Sequence, residues 1–142
     1  MTDPASPLVP ISWGELLDKM TILDIKLDHI DNPEARTNLL REYQILTEIS
    51  LPVTRDREVA NLVERLKHIN EQLWDIEDAI RVEEAQATFG STFIALARAV
   101  YTKNDQRARL KRDINMLLAS ELIEEKSYAA AGSASINPPA LA

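Results

Sequence analysis

The stretch VANLVERLKHINEQLWDIEDAIRV, Val59 to Val82, decides the fold. Its apolar residues Val59, Leu62, Leu66, Ile69, Leu73, Ile76 and Ile80 recur at alternating spacings of three and four. That is the period of a helix with one apolar seam, in the manner of a coiled coil. A seam needs a partner, and the one other stretch of comparable length begins at Ser91, after the break Ala87-Thr88-Phe89-Gly90, and runs to about Ser120. The spacing therefore predicts a long antiparallel hairpin of helices 3 and 4. The domain as a whole is expected to be all-α, an antiparallel bundle of four helices.

Working outward from the hairpin, helix 3 starts near Asp56 and lasts to about Gln86, with Gly90 suited to a left-handed C-terminal cap and Ser91 to capping helix 4. Helix 1 opens on a capping box, Ser12 with Glu15, and a staple of Ile11 and Leu16. Trp13, Leu16, Met20, Leu23, Leu27 and Ile30 give it one apolar face. Asn32 and Pro33 then stop one helix and start the next. Helix 2 is expected over Pro33 to Ile49, with Leu39, Leu40, Tyr43, Leu46 and Ile49 inward and Pro52 marking a break. Residues 1–10 read as a flexible leader, 11–128 as a single helical domain, and the Ala-, Ser- and Pro-rich 129–142 as a disordered tail.

Composition narrows the chemistry. The chain has no cysteine, which removes disulfides, thiolate metal sites and a cysteine nucleophile. A net charge of −7 opposes general nucleic-acid binding, which requires a basic face. The start has no basic and apolar signal pattern, and no run approaches a membrane span, so a cytoplasmic location is expected. Three glycines, Gly14, Gly90 and Gly132, cannot build a phosphate cradle. Neither His29 nor His68 has the Glu three residues before it that a di-iron bundle uses. No cofactor or metal is therefore expected.

One feature resists the simple hairpin. The apolar pattern of helix 4 fails between Lys103 and Asn115, where Asn104, Arg107, Lys111 and Asn115 come beside the core and need partners or water. If helices 3 and 4 are antiparallel, residues numbered to a common sum lie level, which puts the acidic run Asp75, Glu77 and Asp78, with Arg81, opposite Asn104 and Arg107. Lys111 falls level with His68 and is expected to pair with Glu71 or an acid of helix 1. Lys19 and Lys26 share a face of helix 1 and could lend positive charge to an anion held there. The candidate polar pocket or interaction site is thus Lys19, Lys26, Glu77, Asp78, Arg81, Asn104, Arg107 and Lys111. No catalytic residue is assigned, since each of these also has a helix-stabilising explanation.

Several of these segments carry a resemblance. Ser12-Trp13-Gly14-Glu15-Leu16 with Asp18-Lys19 and Thr21-Ile22-Leu23, Leu73-Trp74 with Ile76 to Arg81, Asn104-Asp105 with Arg107-Ala108, Leu110-Lys111-Arg112, and Glu124 to Tyr128 resemble a small uncharacterised bacterial helical family, a domain of unknown function. The resemblance spans about Ile11 to Tyr128. It implies an accessory role beside glycosyltransferases and surface-polysaccharide biosynthesis, and it assigns no catalytic residue. Residues and resemblance together favour a non-catalytic helical interaction or accessory module whose partner is a protein, a glycosyltransferase or envelope-glycan enzyme. The alternative is a small Mg-dependent nucleotide-binding or pyrophosphohydrolase-like enzyme using the acidic end of helix 3. Helices 3 and 4 outrun what helices 1 and 2 can cover, so a homodimer is also expected.

Overall fold

The computed structural model describes residues 5–127. Tyr128 and the tail expected to be disordered lie outside them. The described chain forms four helices: α1 (Trp13–His29), α2 (Pro33–Thr54), α3 (Arg57–Ala85) and α4 (Ser91–Leu117). It is an all-α bundle, and its most extensive packing joins α3 to α4 as a hairpin.

Short polar side chains start three of these helices where the sequence places them. The Ser12 side chain accepts from the Glu15 N–H at 3.1 Å, Asn32 from Ala35 at 3.0 Å, and Asp56 from Glu58 and Val59. Each satisfies donors that the first turn would otherwise leave unpaired. Between α1 and α2, Arg36 reaches back to donate to the carbonyls of Leu27 and Ile30 at 2.6 and 3.0 Å. It closes the C-terminal end of α1 and fixes the turn.

Three local expectations are corrected. First, α2 does not stop at Ile49 but runs through Pro52 to Thr54. Pro52 lies in the last turn, so its missing N–H forfeits a single bond, to a carbonyl of the exposed Glu48. Second, Leu40 and Ile49 of α2 are 50% and 53% exposed rather than inward. The helix leans on α1 and only lightly on α3, so its buried strip is narrow: Leu39, Tyr43 and Leu46 are half-buried, and Ser50 is buried beside Met20. Third, Gly90 is not the left-handed cap of α3. That conformation falls on Ala87, at φ 54°, while Gly90 at φ −84° precedes α4 and Ser91 is already helical. The reason is in the turn itself: Thr88 N–H bonds back to Glu83 and Ala87 N–H to Glu84, the paired closure that requires its left-handed residue at position 87. The end of α4 repeats the device with Ala119 at φ 49°, Ser120 bonding to Asn115 and Ala119 to Met116.

Although α3 and α4 are the longest elements, α1 is the most deeply placed. It packs on all three other helices and buries Gly14, Leu16, Leu17, Asp18, Thr21, Leu23 and Ile25. The core is Leu17 of α1 with Val59 and Leu66 of α3 and Leu110 and Ile114 of α4. All of it lies in the half of the hairpin that α1 crosses. From Trp74 around the turn to Arg109, no residue of the hairpin is buried.

Candidate functional site

The polar interruption of α4 is the seat of α1. Asn104, Arg107, Lys111 and Asn115 recur every three or four residues, so they share a helical face, and the last three bond to α1. Arg107 grips Asp18 with two parallel bonds, Nε to Oδ1 at 2.9 Å and Nη2 to Oδ2 at 2.5 Å. Asn70 of α3 donates to the same Oδ1 at 2.9 Å and to the Thr21 hydroxyl at 2.8 Å. Thr21 in turn donates to the Asp18 carbonyl at 2.7 Å. Asp18 is 1% exposed, and a buried carboxylate persists as a charge only with this kind of complete partnering. The hydrogen bond that Arg107 donates to Asp18 also holds the Arg107 pKa above its ordinary value.

One turn further along, the Gly14 N–H donates to the Asn115 side chain at 2.6 Å. The helices touch backbone to backbone here, and a Cβ on residue 14 would clash with the Lys111 carbonyl and lie 2.9 Å from Asn115 Oδ1. Lys111, whose side chain is 12% exposed, bonds to Glu15 at 2.7 Å and to Glu124 at 3.2 Å. Burial alone would lower its pKa, but the bond to Glu15 and the charges of Asp18, Glu15 and Glu124 raise it above the usual lysine value. The expected helix-1 acid is therefore its partner, whereas Glu71 and His68 line a separate groove on the hairpin with Gln106, Arg109 and Asp113.

Beyond the left-handed Ala119 the chain folds back along this face. The Ser120 hydroxyl accepts from the Trp13 N–H at 3.2 Å, Glu125 meets Arg112 at 3.3 Å, and Lys126 pairs with Glu124. Bonding to Lys126, then the charge and bond of Lys111, outweighs desolvation and lowers the Glu124 pKa. The segment Glu124 to Lys126 thus clasps α4 through Lys111 and Arg112, and Lys111 carries the charge pairing on to Glu15 of α1.

Where α1 ends, a cleft of about 500 Å³ opens between α1 and the emerging hairpin. It is lined by Ile22, Ile25, Asn70, Leu73, Trp74, Glu77, Asp78, Arg81, Asn104 and Arg107. Five residues proposed from sequence, Glu77, Asp78, Arg81, Asn104 and Arg107, therefore meet in one place. The other three do not join them. Lys111 belongs to the clasp, Lys19 pairs with Glu42 of α2 at 3.0 Å, and Lys26 does not line the cleft. Asp18 neutralises Arg107, so Glu77 and Asp78 outweigh Arg81 in the cleft and an anion finds no surplus positive charge there. Among the described residues, no three of His, Asp or Glu converge as metal ligands.

Asp18, Thr21, Asn70 and Trp74 are the site residues that periodicity alone passes over. Asp18 and Thr21 sit among apolar residues of α1, and Asn70 lies beside the α3 seam, next to Ile69. The nearest signal was the set of unmatched polar residues on α4, which required polar partners somewhere. Trp74 stacks on His29 of α1, ring centroids 4.8 Å apart, and so marks the edge of α1 coverage.

No curated protein and no solved structure gives a significant match to the chain. Residues 8–140, almost the whole sequence, match the model of the family of unknown function DUF6165, and the chain belongs to that family.

Proposed function

We propose that the protein is a non-catalytic helical interaction module that docks a protein partner through the uncovered end of its α3/α4 hairpin. The observation that carries this reading is the uneven cover of the hairpin. α1 closes over its base, while the end beyond Trp74 leaves Val82, Phe89, Ile94 and Tyr101 each more than half exposed. Two helices with no third layer expose apolar side chains that association would bury. The polar groups at the base support the same reading from the other side. Asp18, Arg107, Asn70, Lys111 and Glu15 are engaged with one another, so their role is to hold α1 in register. The partner class that the family resemblance implies is an envelope-glycan enzyme such as a glycosyltransferase. The setting would be the cytoplasm; no helix among the described residues is long and apolar enough to cross a membrane.

Photo-crosslinking tests the reading. A photoreactive residue at position 82, 94 or 101 is expected to capture a discrete polypeptide in cells, and one at Ile45, an equally exposed position on α2, is not. Adducts from position 45 with none from the hairpin end would refute it. Mg-dependent turnover of a nucleotide or sugar nucleotide by the purified protein, lost on substituting Glu77 and Asp78, would replace it with the enzyme alternative.

A further inference from the structure

The cleft at the end of α1 holds an acceptor without a donor. Asn70 lines the cleft and is 6% exposed. Its side-chain amide donates to Asp18 Oδ1 at 2.9 Å and to the Thr21 hydroxyl at 2.8 Å, which engages both of its N–H groups. The reversed amide would set oxygen against the Asp18 carboxylate, so this orientation is fixed. The Asn70 Oδ1 is therefore held as an acceptor, and no donor among the described residues bonds to it. An acceptor so placed is completed by a donor from outside the chain. Two turns further along α3, Glu77 and Asp78 also line the cleft, and neither is in an ion pair among the described residues. Arg81 is the one base that opposes them, since Arg107 is neutralised by Asp18. Between Asn70 and the acids stands Trp74, its ring steadied by the stack with His29.

We propose that this cleft receives an arginine side chain of the protein partner. The proposal rests on the reading of the hairpin end as a docking surface and names its anchor. The two adjoin: Val82 follows Arg81, and Tyr101 lies one turn before Asn104, so exposed apolar residues of the end border the cleft. The surplus of acid selects a cation, and the distances select its shape. Asn70 and Glu77 are about 10 Å apart along the helix axis, which the Glu77 side chain, leaning toward the N-terminal end as helical side chains do, shortens to about the width of a guanidinium group. A guanidinium carries donors on opposite edges and serves the Asn70 oxygen and a carboxylate together, whereas a compact ammonium reaches one of them. Its plane stacks on an indole, here Trp74, and its methylenes lie along Ile22 and Leu73. A cleft of about 500 Å³ falls within the range that encloses groups of this size.

Two arms test the proposal on the full-length protein. In NMR titrations, N-acetyl-arginine amide is expected to shift the Trp74 indole and Asn70 side-chain amide signals saturably, with N-acetyl-lysine amide about tenfold weaker. Glu77→Gln with Asp78→Asn should weaken the arginine probe about tenfold, and Arg81→Gln, which removes the like charge, should tighten it about threefold. In cells, adducts from photoreactive residues at positions 82 and 101 should fall to about a tenth in the Glu77→Gln, Asp78→Asn background. They should persist with Asp75→Asn and Glu84→Gln, acids of the same helix outside the cleft. All four acids are exposed, so these variants keep the fold, which circular dichroism checks. An arginine probe without saturable shifts at tens of millimolar overturns the proposal, as does equal affinity for lysine. Weaker binding on Arg81→Gln overturns it as well, because that sign marks an anion. Adducts undiminished by the cleft substitutions overturn it and leave the docking surface standing with a different anchor. Arginine binding with no adduct from the hairpin end refutes the docking reading, and with it the partner as the source of the arginine.

Discussion

The two halves of the α3/α4 hairpin share one helix pair and differ in what lies across it. At the base, α1 inserts Leu17 between Val59, Leu66, Leu110 and Ile114, and buries a charged pair to do so. Toward the turn the same two helices continue with nothing buried from Trp74 to Arg109. The contrast separates two jobs of an apolar seam. A seam between two helices sets their register, but two helices alone leave their outer faces wet, and only a third layer turns register into a core.

The largest expected effect is at Asp18. Asp18→Ala leaves Arg107 and Asn70 without their partner and should cost about 3–5 kcal/mol in chemical denaturation; a loss below about 1 kcal/mol would mean the base does not depend on the charged pair. Next, Leu66→Ala at the base should cost about 2–5 kcal/mol. Ile94→Ala at the end should cost under about 0.5 kcal/mol in the monomer, as exposed substitutions do. Similar losses at both sites would erase the comparison. Gly14→Ala forces a methyl group against the Lys111 carbonyl, and a destabilisation of about 1–3 kcal/mol is expected from the overpacking.

Smaller effects sharpen the picture. Ala87→Gly and Ala119→Gly relieve left-handed backbone at the two helix ends and should each stabilise by about 1 kcal/mol, read as a rise in denaturation midpoint. The gain fails to appear if those turns rearrange. The clasp should respond to pH with a definite sign. The pKa of Glu124 is lowered by Lys126 and Lys111, so its contribution is present above the ordinary glutamate pKa and disappears as pH falls through the folded value. The pKa of Lys111 is raised, so its contribution is present below the ordinary lysine pKa and disappears as pH rises through the folded value. Amide NMR of residues 120–127 should therefore show a docked segment across neutral pH and release at both extremes. Lys111→Met should free that segment while costing the fold about 1 kcal/mol or less, because Glu15 and Glu124 are both exposed enough to be solvated.

Much of this arrangement was legible in the residues. Spacing located α3 and α4, and side-chain chemistry located the starts of α1 and α2, because both signals are local. The failure of the α4 pattern at Arg107 and Lys111 was legible as an anomaly. Its meaning was not, since it depends on a carboxylate from a helix 89 residues away in sequence. Counting hydrophobicity places an aspartate outside, and Asp18 is inside only because Arg107 and Asn70 converge on it. The end of α2 was misread for a related reason: a proline forbids continuation in a helix interior, but its cost shrinks within the last turn. The cleft was half legible, since hairpin register brings Glu77, Asp78 and Arg81 near Asn104 but does not say which face α1 leaves open.

The depth of α1 also bears on how the chain is made. During synthesis α1 leaves the ribosome before the three helices that must surround it, and its Asp18 has to wait for Arg107. Until α4 is complete, α1 has neither its apolar neighbours nor the counter-charge for its carboxylate, so no stable core can form domain-first from the N-terminal side. Nascent chains stalled before Arg107 should remain protease-sensitive throughout, and protection should arrive in one step once α4 has cleared the exit tunnel.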